Sequence, residues 1–248
     1  MVNPKVLITA GCSFSVPNRR SLEHYFSWPV HLQEKLNFQE CINTAQSAAG
    51  NAIISRKVIY NLTQALKKYK AEEILVGIMW SGRNRLDTYS TNKDFPHNHI
   101  ENDEFYCNPI KIVNENNFYI SSSYWKDEFS KNCIKYYGDD IGQSLYTIEH
   151  ILRTQWFLKQ YNVPYFMTEY NVNCLPRQNE IKTHSDIEYL LKLIDKTQWL
   201  PINHMFEYSM STGIPFVDPM DSHPNTKHHQ VFVAEIIIPF LKQKKYIE

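Results

Sequence analysis

Four short segments carry groups suited to acyl transfer. Gly11-Cys12-Ser13-Phe14-Ser15 places a serine just beyond an apolar run, where its hydroxyl could act as a nucleophile. Gly50 heads a helical pattern, where a backbone N–H and the helix N-terminus both favour an anion. Gly82-Arg83-Asn84 offers a carboxamide donor. Asp218-Pro219-Met220-Asp221-Ser222-His223-Pro224 puts a histidine and two carboxylates in one loop. A neutral imidazole whose tautomer is held by a carboxylate can act as a general base. Nucleophile, oxyanion donors and an Asp–His pair are the inventory of serine acyl transfer. Each segment also has an ordinary structural role. A serine in such a turn can cap a helix, and glycine and asparagine shape turns. What joins the four is position, since each follows an apolar run.

Those runs, at residues 6–10, 41–45, 74–80, 164–170 and 214–217, read as short strands. Between them, 28–36, 51–69, 141–161, 186–199 and 228–241 read as helices, with Pro239 kinking or ending the last. Alternating strands and helices predict a mostly parallel sheet covered on both faces. Ligands bind such sheets beyond the carboxyl ends of the strands, which is where all four segments fall. Residues 87–140 break the rhythm with aromatics such as Tyr89, Phe105, Tyr124 and Trp125 among Asn, Ser and Asp. They read as an insertion packed over that edge of a single domain spanning 1–248.

These blocks resemble the SGNH hydrolases, the GDSL esterase/lipase superfamily, and in particular phage-encoded or environmental bacterial members. Gly11-Cys12-Ser13 matches the Gly-Asp-Ser block, Gly50 the second-block glycine, Gly82-Arg83-Asn84 the Gly-x-Asn block and Asp221-Ser222-His223-Pro224 the Asp-x-x-His-Pro block. The resemblance covers about 190 residues of the core and leaves out the insertion. It implies a three-layer α/β/α fold with a central, mostly parallel five-stranded sheet, flavodoxin-like in order. It implies Ser13 as nucleophile, His223 as base and Asp221 as its acid. The oxyanion hole would be formed by the Ser13 and Gly50 N–H groups and the Asn84 amide.

Three departures leave alternatives. Cys12 stands where the family has aspartate and could itself be the nucleophile. Neighbouring side chains alternate faces on a strand, however, so only one of Cys12 and Ser13 reaches the crevice. The Asp221–His223 spacing is one residue short, so Asp218 is a second candidate acid. Ser81 could replace Asn84 as donor.

The chain has 248 residues, 43% hydrophobic and 21% charged, which excludes disorder, collagen and coiled coil as whole-chain descriptions. Lys plus Arg and Asp plus Glu both number 26, so no basic excess points to nucleic acid. No apolar run approaches the roughly 18 residues of a membrane span. The first residues lack the pattern of a secretory signal, and the five cysteines lack paired spacing. The expectation is a cytoplasmic or virion-associated protein with no cofactor or metal. His97 and His99 find no completing ligands in sequence. The reading is a serine esterase acting on a small-molecule or carbohydrate ester, favouring an O-acetyl group on a sugar because the insertion mixes aromatics with hydrogen-bonding residues. The alternatives are an inactive binding or virion structural module on the same fold, and a lipase or thioesterase.

Overall fold

Strand β1 (Val6–Ala10) is buried at every residue. Val6, Ile8 and Ala10 enter one apolar cluster and Leu7 the other, so the strand is covered on both faces. The computed structural model describes residues 3–16, 26–89, 118–122, 128–137, 139–176, 185–216 and 222–248. In it β1 pairs in parallel with β2 (Glu40–Asn43) on one side and β3 (Ile74–Trp80) on the other, with Val6 opposite both Glu40 and Ile74. A short antiparallel ribbon follows, β4 (Arg85–Tyr89) with β5 (Phe118–Ser122). Strand β6 (Tyr165–Glu169) then pairs in parallel with β3. The sheet order β2-β1-β3-β6 is that of a doubly wound α/β protein.

Helices cover both faces. Helix α1 (Trp28–Leu36) packs Trp28 and Leu32 against the Leu7 face. Helix α2 (Asn51–Ala65) and α4 (Asp140–Gln160) lie on the opposite face. There Ile54, Val58 and Leu62 meet Ile148, Ile151 and Leu152. Helix α3 (Glu128–Tyr137) follows the ribbon, and α5 (Ser185–Lys192) adds Ile187 to the α2 and α4 face. Helix α6 (Met205–Ser211), α7 (Thr226–Phe232) and α8 (Ile238–Gln243) return to the α1 face. A widened π-turn at Val233–Ile237 separates α7 from α8. Pro239 has no N–H to donate and crowds the carbonyl four residues back, and loosening the turn ahead of it relieves both. Among the described residues no helix is long and apolar enough to cross a membrane.

Four strands form the main sheet among the described residues, where five were expected. Residues 214–216 stay out of it: Phe216 packs its ring on Phe206 and His228 at 5.6 and 5.0 Å, and Pro215 O accepts from Asn225 Nδ2. Residue 217 lies outside the described residues. The edge beside β6 is met instead by a single parallel bridge from Met167 to Trp199, with Leu200 N–H donating to Met167 O at 2.9 Å. The helix expected over 186–199 stops at Lys192. Asp195 then caps a short 3-10 turn, Lys196–Gln198, by accepting from Thr197 N–H. Of the stretch 87–140, the described parts are the β4–β5 ribbon, α3 and the start of α4. Residues 90–117 and 123–127, and with them Phe95, Phe105, Tyr106, Tyr124 and Trp125, lie outside the described residues.

One buried polar side chain ties the sheet to α2. Asn51, 2% exposed, donates from Nδ2 to Ser81 O at 3.0 Å, and Ser81 N–H donates back to Asn51 Oδ1 at 2.8 Å. The same Nδ2 also donates to Thr147 Oγ1 of α4 at 3.2 Å. Beyond the end of β3 this pair replaces the missing ladder bonds. Asn51→Ala would leave both backbone groups of Ser81 buried and unpaired, and is expected to destabilise the fold by about 2–4 kcal/mol. Urea denaturation of variant and wild type measures this, and a loss under about 0.5 kcal/mol would refute it.

Candidate active site

The chain leaves β1 through Gly11 and turns at once, with Ser15 N–H donating to Cys12 O at 2.9 Å. Ser15 is wholly buried and anchors the turn. Trp28 Nε1–H donates to its Oγ at 2.9 Å, while Asn43 Nδ2 and Ser27 Oγ donate to its carbonyl at 2.9 and 3.2 Å. Gly11 is required beside it, because a Cβ there would stand 2.5 Å from Ser15 Oγ. Cys12 is fully buried in the core cluster. Ser13, half-buried, is the residue that meets the histidine: its Oγ lies 2.8 Å from His223 Nε2, across 210 residues of sequence.

His223 stands just ahead of α7, in a segment fixed by Asn225. The Asn225 side chain accepts from His228 N–H at 3.0 Å and donates to Pro215 O at 2.6 Å, and its N–H donates to His228 Nδ1. The imidazole rests on Phe14 at 4.9 Å, and Phe14 meets Tyr170 edge-on at 5.1 Å. Below this segment His229 is wholly buried. Burial first, and then His31, His228 and His223, hold its pKa well below the usual range, so it is neutral. Asp221 and Asp218, the two candidate acids, lie outside the described residues.

The turn after β3 brings the next candidates. Asn84 is half-buried with its Oδ1 over Gly82, where a Cβ would stand 2.7 Å from Asn84 Oδ1 and 3.3 Å from the Tyr170 hydroxyl. Ser81, the alternative donor, is wholly buried, and its Oγ accepts from the Arg85 guanidinium at 2.8 Å.

Gly50 departs from expectation. It sits at the head of α2, but its N–H is already committed, donating to Asp87 Oδ1 at 2.9 Å. Ile53 N–H donates to Asp87 Oδ2 at 2.9 Å. The anion at this helix N-terminus is therefore a side chain of β4, and a single N–H cannot serve an oxyanion as well. The lack of a Cβ at Gly50 is what admits the carboxylate, because a Cβ would stand 2.6 Å from both of its oxygens. The loop before Gly50 is hooked to β1 by Gln46 N–H donating to Gly11 O at 3.1 Å. Within it Ala48 takes a left-handed φ of 61°, a strained conformation for a residue with a side chain.

Of the residues expected from the sequence, the structure brings Ser13 and His223 together and shows no contact of Asn84 with either; the sequence reading did not name the supports Ser15, Trp28, Asn43, Asn51 and Asp87. The available signals were the second serine of Gly-Cys-Ser-Phe-Ser and lone polar residues bordering apolar runs. Among the described residues no group of three or more His, Cys, Asp and Glu side chains is placed to hold a metal. His97 and His99 lie outside them.

A parallel, doubly wound sheet with a serine–histidine contact at its carboxyl edge defines the class of architecture. The chain belongs to the family of unknown function DUF6071, whose model matches residues 14–247, beginning just after Ser13. No curated protein sequence matches it. Among solved structures, protein YxiM from Bacillus subtilis is similar with a TM-score of 0.47 and 12% identity over 98% of this chain. The chain spans 57% of the length of that protein.

Burial pushes the Asp87 carboxyl up to about 6, against the pull of the Ile53 and Gly50 N–H groups and Arg56. An unfolded aspartate titrates near about 4. The folded value is the higher one, so ionisation opposes folding. The stabilisation from this group is complete below about pH 4 and is lost as pH rises through about 6. Asp87→Asn removes the titration at the cost of one N–H contact. Relative to wild type, the variant is expected to gain about 2 kcal/mol between pH 4 and pH 7. Urea midpoints at four pH values test this, and a difference that does not change with pH would refute it.

Proposed function

We propose that this protein is a serine ester hydrolase of the SGNH type, with Ser13 as nucleophile and His223 as general base. The observation that carries the reading is the 2.8 Å contact between Ser13 Oγ and His223 Nε2 at the ligand-binding edge of the sheet. With Nε2 unprotonated, the hydroxyl donates to it. Attack of Oγ on an ester carbonyl passes the proton to Nε2 and negative charge to the carbonyl oxygen. The Ser13 N–H and the Asn84 amide are the proposed donors to that oxyanion. His223 then returns the proton to the leaving alkoxide, and water cleaves the acyl-enzyme by the same route. Asp221, with Asp218 as the alternative, is assigned as the acid on the resemblance alone. The finer fold assignment, a flavodoxin-like sheet with a fifth strand, belongs to the same proposal.

The proposed substrate is an O-acetyl ester on a carbohydrate. Support comes from the mixture of aromatic and hydrogen-bonding residues in the insertion. A groove for a long acyl chain calls for a stripe of Leu, Ile and Met instead. A second reading, a non-catalytic binding module, is favoured by one observation: the Gly50 N–H is occupied by Asp87.

A fluorophosphonate probe separates the two readings. One adduct on wild type, absent from Ser13→Ala and His223→Ala, is expected. Ser13→Ala should lower kcat on aryl acetates by about a millionfold, and Asn84→Ala by about 100- to 1,000-fold. Ester hydrolysis retained in Ser13→Ala would sink the assignment. A folded wild type that takes no label would leave the binding module.

A further inference from the structure

Two helices flank the segment that carries His223, and both begin on an imidazole. Helix α6 has His204 as its N-cap, with Glu207 N–H donating to His204 Nδ1 at 3.1 Å. Helix α7 opens with the Asn225 box, in which Asn225 N–H donates to His228 Nδ1 at 3.1 Å. A box of this kind ordinarily uses glutamate or glutamine at the third helical position, where His228 stands. An imidazole accepts only through a nitrogen that carries no proton. While the caps hold, each ring is therefore neutral, with its proton on Nε2.

Four rings join the two caps. His204 stacks on Phe206 at 6.5 Å, Phe206 meets Phe216 at 5.6 Å, and Phe216 stacks on His228 at 5.0 Å. Both histidines are buried, His228 wholly. Burial holds both below the usual histidine range. Glu207, with Oε2 3.5 Å from His204 Nε2, favours a proton on that ring, and the Ile214 and Ser209 carbonyls favour one on His228. Burial outweighs them. Next to His228 on α7, His229 also feels His31 of α1 and His223, and a proton on any of the three opposes one on His229. Glu34 of α1 lies 3.8 Å from His31, and Tyr208 of α6 donates to Glu235 of the π-turn at 3.0 Å.

We propose that the His204–Phe206–Phe216–His228 stack is an acid-sensitive clamp, which fixes the segment presenting His223 to Ser13 while both imidazoles are neutral and opens both caps when they take up protons. A proton on Nδ1 turns each acceptor into a donor facing an N–H. A charged His228 would still have Asn225 Oδ1 at 3.1 Å, but the Asn225 N–H would lose its partner. The clamp rests on the two caps. Its use in regulating the dyad rests on the proposed function above.

An exposed histidine titrates near about 6.5. The capped value is lower, so opening is hardest above about pH 6.5 and becomes easier as pH falls below it. Hydrogen exchange followed residue by residue by NMR tests this, because the Asn225 and Glu207 amides are themselves the capped groups. Between about pH 7.5 and 5.5 the opening equilibrium, corrected for intrinsic exchange, is expected to rise about tenfold at Asn225. The rise at Glu207 is expected to be smaller, because the Glu207 carboxylate steadies a proton on His204. The Gly142 amide, capped at 2.7 Å by the Asp139 carboxylate, is the control and should change less than about twofold. His228→Gln keeps an acceptor that does not titrate and should flatten the Asn225 profile, and His204→Asn should flatten that of Glu207. No rise at Asn225 in wild type, or an equal rise at Gly142, overturns the proposal, and neither comparison needs a variant. A rise that survives the matching substitution overturns the role of that histidine. Where Ser13 takes a fluorophosphonate, His228→Gln should carry labelling to lower pH than wild type, and an unchanged profile overturns the link to the dyad. Opening without labelling removes the esterase reading and leaves the clamp, and labelling without opening does the reverse.

Discussion

A parallel strand covered on both faces has paired backbone groups only as far as its neighbours run beside it. Beyond the last ladder bond the chain is still buried, and its N–H and carbonyl groups must find partners or cost about 1–3 kcal/mol each. All the main-sheet strands end on one edge here, so the problem is concentrated there. The protein meets it with polar side chains. Asn43 serves the carbonyl of Ser15, Asn51 serves both groups of Ser81, and Asp87 serves the N–H groups at the head of α2. Ser13 follows the turn held by Asn43, and Asn84 the turn held by Asn51.

The consequence is rigidity at the proposed nucleophile. Ser15 is held from three sides, so the turn between Gly11 and Val16 has little freedom, and Ser13 is carried on it. His223 is fixed from the other end of the chain by the Asn225 capping box and by Phe14. The dyad therefore forms between two independently braced pieces. Its 2.8 Å contact would require no large rearrangement for the proposed proton transfer.

The ribbon after β3 enters the same network through Asp87. A carboxylate at a helix N-terminus is ordinarily stabilised by the dipole and the free N–H groups. Here burial outweighs them and the carboxyl is pushed up to about 6. The ribbon is thus docked onto α2 by a charged group with a net cost to ionise. The same docking places Arg85, two residues earlier on β4, against Tyr170.

Much of this was open to inspection in the sequence. The strands at residues 6–10 and 74–80 and the helix at 28–36 stand where hydrophobic pattern and a Pro-led first turn put them. Those signals are local, because a continuous apolar run can be satisfied only by burial on both faces. The pairing of Ser13 with His223 matches the expectation from the sequence, while Asn84 remains a proposed donor. Tertiary structure decided the rest. It took residues 214–216 out of the sheet, with Phe216 packed on His228 and Phe206 instead. It also gave the Gly50 N–H to Asp87, a partner 37 residues away. The destination of a hydrogen bond at a strand end depends on which distant side chain arrives there, and a one-dimensional pattern carries no record of that.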